Sequence, residues 1–175
     1  MPLNITHNRC FLVVGCGALG NEVLKNLALM NAGRLVIVDF DCVEDVNLDR
    51  SVLFRREDVG RQKVDAARDG IMRINPGIEV VAINGDIAHD VGIGLLRNAD
   101  VIVGCVDSRW ARYCINRLAF RAGRPWVDGG IFGMTGTARV FTPGMSCYAC
   151  SLGADGLMDM RRRMPCETRS AAQRP

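Results

Sequence analysis

Short apolar runs alternate along this chain with longer segments whose apolar residues recur every three to four positions. That alternation marks successive strand–helix–strand units and predicts a parallel sheet. Cys10–Val14 reads as a buried strand, and residues 18–31 as a helix with Leu19, Val23, Leu27 and Met30 on one face, closed by Gly33. Arg34–Asp39 is a second strand. Residues 59–74 read as a helix on the stripe Val64, Ala67, Ile71 and Ile74, stopped by Asn75-Pro76-Gly77. Residues 78–83, 100–106 and 126–131 follow as strands, separated by helices at 89–97 and Arg109–Ala122. Residues 136–141 alternate enough to form an antiparallel edge strand. No repeat or low-complexity tract interrupts the pattern.

Composition narrows the class. The 175 residues are 49% hydrophobic, 23% charged and 6% aromatic, enough apolar material for one domain with its own core. No apolar run reaches the roughly 18 residues of a membrane span, and the N-terminus lacks the basic-then-apolar pattern of a signal peptide. No membrane association is expected. The net charge of +3, from 22 basic and 19 acidic residues, gives no reason to expect a nucleic-acid partner. Eight cysteines in a chain without that signal argue for a reducing, cytoplasmic setting rather than a disulfide scaffold. Cys10, Cys16, Cys42, Cys105 and Cys114 lie in or beside apolar patterns and are expected to pack as small hydrophobes.

Gly15-Cys16-Gly17-Ala18-Leu19-Gly20 falls between the first strand and the first helix. In such a run Gly15 permits the tight turn, Gly17 lets the backbone approach a phosphate, and Gly20 lets the helix pack on the strand. The helix start offers free N–H groups to an anion. Asp39 ends the second strand, 19 residues after Gly20, where a carboxylate accepts hydrogen bonds from ribose hydroxyls. The expected fold is α/β: a Rossmann-like, doubly wound, mostly parallel sheet with an antiparallel edge extension. These residues leave NAD, FAD and ATP open.

The stretch from Phe40 to Gly60 is longer than a dinucleotide-binding unit needs, and polar residues crowd it and its exit. Asp41, Asn47, Arg50, Arg55, Arg56 and Lys63 follow one another. Arg50 can grip phosphate bidentately and Lys63 adds a point charge, a combination that suits a triphosphate. Asp107 ends the fourth strand, at the carboxyl edge where open α/β sheets bind ligands, and is a candidate Mg2+ ligand.

Several segments then carry a resemblance. Val38-Asp39-Phe40-Asp41-Cys42-Val43, Asn47-Leu48-Asp49-Arg50, Phe54 and Asp58-Val59-Gly60-Arg61-Gln62-Lys63 come first. Asn75-Pro76, the run from Ala99 to Asp107, Arg112 with Asn116, and Gly129-Gly130-Ile131-Phe132-Gly133 follow. Together, from Arg9 to Cys150, the chain resembles the ThiF/MoeB/ubiquitin-activating-enzyme superfamily.

The resemblance implies ATP-dependent adenylylation of the C-terminal glycine carboxylate of a ubiquitin-like or sulfur-carrier protein ending in Gly-Gly. It implies that Asp39 holds the ribose, that Asn47, Arg50 and Lys63 hold the phosphates, that Asp107 binds Mg2+, and that the protein works as a homodimer. Residues 1–153 would form the ATP-binding adenylation domain, and 154–175 a flexible crossover loop and tail. Cys147-Tyr148-Ala149-Cys150 falls where the family carries the first half of a four-cysteine zinc site, whose second half is not found before Pro175. Cys166, in Met164-Pro165-Cys166-Glu167-Thr168, resembles the family's catalytic or sulfur-accepting cysteine, with Arg161–Arg163 and Arg169 to lower its pKa. Eight residues precede Arg9, too few for the family's N-terminal helix and the arginine it supplies to the partner subunit. Two alternatives stand beside this reading: an NAD-dependent oxidoreductase using the same glycine run, and a non-catalytic nucleotide-binding scaffold subunit.

Overall fold

A computed structural model describes residues 6–132 and 134–152 of the chain. The elements are β1 (Cys10–Val14), α1 (Ala18–Leu29), β2 (Arg34–Asp39), α2 (Lys63–Ile74) and β3 (Glu79–Asn84), followed by α3 (Ile93–Asn98), β4 (Val101–Gly104), α4 (Arg109–Ala122), β5 (Trp126–Phe132) and β6 (Thr135–Phe141). Six strands form one sheet in the order β3-β2-β1-β4-β5-β6. The first five are parallel and β6 runs antiparallel to β5, from Trp126 opposite Phe141 to Phe132 opposite Thr135. The doubly wound sheet and its antiparallel edge are those expected from the sequence.

Strand alternation sorts the core into two layers. Val13, Leu35 and Ile37 face α1 and α2, where Leu24, Leu27, Val64 and Ile71 close over them. Leu12, Val14, Val36, Val38 and Ile102 point the other way, against Leu96, Ile115, Ala119 and Trp126. Each fully buried Leu or Ile contributes about 1.5–3 kcal/mol relative to exposure, so both layers are needed to hold the sheet.

The helices depart from their expected bounds for local reasons. The second begins at Lys63, not at residue 59, because a 3-10 turn at Arg56–Asp58 and Gly60, with φ +87°, send the chain into a bridge between Gln62 and Cys42. The first stops at Leu29, since Asn31 takes a left-handed φ of +58°. Its buried face is Gly20, Asn21, Leu24, Leu27 and Ala28, leaving Met30 exposed. Residues 86–90 form a turn in which the Asp86 N–H donates to Asp90 Oδ2, so α3 starts only after Gly92. Ile74 is partly exposed at the end of α2, and Cys42 is exposed rather than packed as expected. Helix α4 has its expected ends: Ser108 Oγ accepts from the Ala111 N–H, and Gly123 closes it at φ +68°.

Among the described residues no helix is long and apolar enough to cross a membrane. The expected tail, residues 154–175 with Cys166, lies outside the described residues.

Candidate active site

In this strand order the chain reverses direction of progression between β1 and β4, and a crevice opens at their carboxyl ends. A cavity of about 370 Å3 occupies it, walled by the glycine turn, the end of β2, Lys63, residues 85–87, and the segment from Cys105 to Ala111.

The turn is built for close approach. Gly15 has φ +98°, and a Cβ there would stand 2.5 Å from the Cys105 carbonyl oxygen. A Cβ on Gly20 would stand 1.9 Å from the Gly15 carbonyl oxygen, so the helix could not begin this close to the strand with any other residue. Gly17 faces open space, leaving its backbone accessible.

Asp39 ties this turn to β2. Its Oδ2 accepts from the Cys16 N–H at 2.6 Å and its Oδ1 from the Asp41 N–H at 2.8 Å. Burial pushes its carboxyl above the ordinary aspartate value, against those two bonds and the nearby Lys63 charge. Lys63 enters the cavity from the first turn of α2. Its Nζ pairs with Asp41 Oδ2 at 2.9 Å, and its backbone N–H donates to the Asp41 carbonyl at 2.9 Å. Desolvation is the largest influence on Lys63, but the pair with Asp41 and the Asp39 charge outweigh it and raise its pKa. The ammonium is therefore retained in the site.

The expected site residues divide. Gly15, Gly17, Asp39, Asp41, Lys63 and Asp107 line the cavity. Gly20 lies beneath the turn. Asn47 and Arg50 are not among the lining residues: Asn47 Oδ1 caps a 3-10 turn by accepting from the Glu44 N–H, and Arg50 is exposed. Arg55 and Arg56 are likewise exposed, so the loop's arginines do not gather around the cavity in the way their spacing led one to expect. Among the described residues Lys63 is the one cationic side chain lining it, set against Asp39, Asp41, Asp86 and Asp107.

At Asp107 the cavity meets a groove of about 630 Å3 between the start of α4, strands β5 and β6, and the helical turn at 148–152. Arg109, Arg112 and Arg139 line it, with Asp128 beneath. Cys147 and Cys150 do not line it; their Sγ atoms are 3.2 Å apart, and no cluster of three or more metal-ligating side chains occurs among the described residues. The Cys147 thiol is held below the ordinary cysteine value: burial raises it, but hydrogen bonds from Cys150, Asn116 and Ala149 prevail.

The chain matches the ThiF family over residues 4–173. It belongs to that family. It is 40% identical over 134 residues to a probable adenylyltransferase/sulfurtransferase, MoeZ, of Mycobacterium tuberculosis, covering 77% of this chain and 34% of that protein. It is 36% identical over 141 residues to the molybdopterin-synthase adenylyltransferase of Escherichia coli, covering 79% and 57%. Among solved structures, E. coli MccB with ATP superimposes with a TM-score of 0.73 at 26% identity, covering 91% of this chain and 49% of that one. The chain thus spans between about a third and just over half of these proteins.

Beyond the residues expected, this ThiF-family chain uses three whose roles are not evident from type or spacing. Asn21 is wholly buried in α1; its Nδ2 donates to the carbonyls of Cys16 and Gly17 and its Oδ1 accepts from the Leu53 N–H. A polar residue on an otherwise apolar helix face was the available signal. Trp110 walls the cavity from α4 and leans on Tyr113. Asp128, buried in β5, pairs with Arg112 at 2.8 Å.

Proposed function

We propose that this protein uses ATP to adenylylate the C-terminal carboxylate of a ubiquitin-like or sulfur-carrier protein ending in Gly-Gly. The observation that carries the reading is the meeting of two spaces at Asp107: a nucleotide-sized cavity beside a glycine turn, and an arginine-lined groove suited to an extended chain ending in a carboxylate. The adenylyltransferase names of its relatives support the reaction class.

The chemistry asks little proton transfer of the protein. A carboxylate is already ionised near pH 7, so no general base is required. One carboxylate oxygen attacks the α-phosphorus, a new C–O–P linkage forms, and the bond to the β-phosphate oxygen breaks, releasing pyrophosphate. What the site must do is hold two anions in line and offset their charge. Asp39 receives the ribose hydroxyls and the Gly17 backbone approaches the phosphates. Lys63 turns its ammonium from Asp41 toward the triphosphate. Asn47 and Arg50 stand outside the cavity, and their assignment to the phosphates rests on the resemblance of the loop to the family's.

Four carboxylates against one cation make a cavity that favours ATP with a divalent ion. Asp107 fits that role: its carboxylate is exposed, and it pairs with no side chain among the described residues. Mg2+ is held by one or two carboxylates together with substrate phosphates, and there it would draw charge off the phosphoryl oxygens. Zn2+ at Cys147 and Cys150 needs two further ligands, because these thiols supply half of a tetrahedral set. A thioester or persulfide step at Cys166 would follow adenylylation. A homodimer is favoured by the exposed apolar residues Ile131 on β5, Val140 on β6 and Met134 in the turn between them. A cytoplasmic setting accords with free thiols at all seven cysteines among the described residues.

The test is thermal: ATP with Mg2+ should raise the melting temperature through ligand linkage, while NAD should leave it unchanged. ATP–pyrophosphate exchange should then appear with a carrier ending in Gly-Gly. Stabilisation by NAD alone would turn the assignment to an oxidoreductase.

A further inference from the structure

Asp107 is the residue common to cavity and groove, yet no side chain among the described residues holds its carboxylate. Its backbone is what is held. Arg112, one turn into α4, donates from Nη1 to the Asp107 carbonyl at 3.3 Å, from Nη2 to the Gly129 carbonyl at 3.3 Å, and from Nε to Asp128 Oδ1 at 2.8 Å. One guanidinium thus stitches the β4–α4 turn to strand β5. The stitch is enclosed: the Arg112 side chain is 17% exposed and that of Asp128 8%.

The strand is shaped to receive it. A Cβ on Gly130 would lie 3.2 Å from Arg112 Nη2 and 3.1 Å from Thr137 Oγ1. A Cβ on Gly129, on the other face, would lie 2.7 Å from Leu19 Cδ2 of α1. The guanidinium therefore sits against a strand position that has no side chain. A planar fork with several donors can make these three contacts at once, whereas an ammonium cannot do so in the same geometry. Asp128 also feels the charge of Arg139, but its hydrogen bond goes to Arg112.

We propose that Asp128, acting through Arg112, is a positioning residue that sets where Asp107 stands between the nucleotide cavity and the carboxylate groove. The proposal rests on the adenylylation reading, because Asp107 matters only if the two spaces are used together. In-line transfer is sensitive to displacements of an ångström or less at the reacting centre, so a loosened turn should weaken turnover far more than nucleotide binding.

The experiment compares the 175-residue chain with Asp128→Asn, Arg112→Lys and Gly130→Ala. Arg124→Ala, which removes a donor to the Arg97 carbonyl far from the groove, is the control. ATP–pyrophosphate exchange is measured with purified ubiquitin-fold proteins ending in Gly-Gly, alongside melting temperature and the affinity for ATP with Mg2+. Asp128→Asn and Arg112→Lys should lower kcat by about 10- to 100-fold while changing ATP affinity less than about twofold. Gly130→Ala, which keeps both charges and crowds the guanidinium together with the Thr137 hydroxyl, should act in the same direction without removing any partner of the stitch. Equal losses of kcat in these variants and the control, or losses that simply track melting temperature, would overturn the positioning role. Absence of exchange by the parent with every carrier, ATP still binding, would instead overturn the adenylylation reading and the proposal with it.

Discussion

Replacing Asn21 should loosen the phosphate turn from beneath. Its amide joins three backbone groups that are distant in sequence: the carbonyls of Cys16 and Gly17, at 2.7 and 3.2 Å, and the Leu53 N–H at 3.0 Å. Leu53 is itself buried, and its N–H has no other acceptor among the described residues. In Asn21→Ala that N–H and the Cys16 carbonyl lose their partner where water has no access. Each such group costs about 1–3 kcal/mol, so the variant should lose roughly 2–6 kcal/mol. In a domain of this size each kcal/mol lowers the melting temperature by about 2–4 °C, giving a fall of roughly 4–24 °C by calorimetry. Asn21→Asp separates the two directions of bonding. A carboxylate still accepts from Leu53 but has no N–H for the two carbonyls, so it should be no better than alanine at neutral pH. Protonation restores a donor, and the deficit relative to the parent should shrink as pH falls. A melting temperature for Asn21→Ala within about 2 °C of the parent would refute the reasoning, since that shift is less than one buried unpaired group should produce.

Gly20→Ala should prevent the first βα unit from packing, because a Cβ 1.9 Å from the Gly15 carbonyl oxygen has no room; soluble protein with a parent-like circular dichroism melt would contradict this. On the proposed role of Asp39 in binding ribose hydroxyls as a carboxylate, adenosine affinity should fall with acidification earlier than for an ordinary aspartate, because burial raises its pKa. Adenosine is the suitable titrant, since it has no phosphate to protonate near neutrality. Stability of the free protein also falls with acidification, but at lower pH, because the pKa values of Asp69 and Asp100 are shifted in the other direction. Their hydrogen bonds, to Arg61 and to the Cys10 N–H, lower their pKa values, so their contribution is complete above the ordinary aspartate range and is lost as pH falls through the lowered values. Affinity should therefore decline at a higher pH than unfolding begins, and coincident curves in calorimetry and ligand titration would contradict the assignment.

Strands β1 and β2 were legible because each is a short apolar run whose two faces are both buried, as Leu12 and Val13 show on β1, and β6 because its residues alternate. The glycine turn and Asp39 were legible because their spacing follows directly from the geometry of one strand–helix–strand unit. The 40–62 segment was not. Its path is set by non-local bonds, such as Leu53 to Asn21 and Arg73 to Leu53, which leave no periodic trace. Arg50 and Lys63 look alike in sequence as phosphate cations, yet a strand bridge aims one into the cavity while the other faces solvent. Asp128 escaped notice because its significance comes from Arg112, sixteen positions away, lying over a neighbouring glycine.

The bridge between Cys42 and Gln62 closes like a clasp. Val43 and Arg61, Gly60 and Val43, and Lys63 and Asp41 exchange backbone bonds of 2.8–2.9 Å around it. The lysine therefore takes its place from β2 rather than from the packing of its own helix. Breathing of the intervening loop can proceed while the acid and the cation stay registered to each other. On the adenylylation reading, a nucleotide and a protein tail can thus enter in turn without dismantling the charges at the centre of the site.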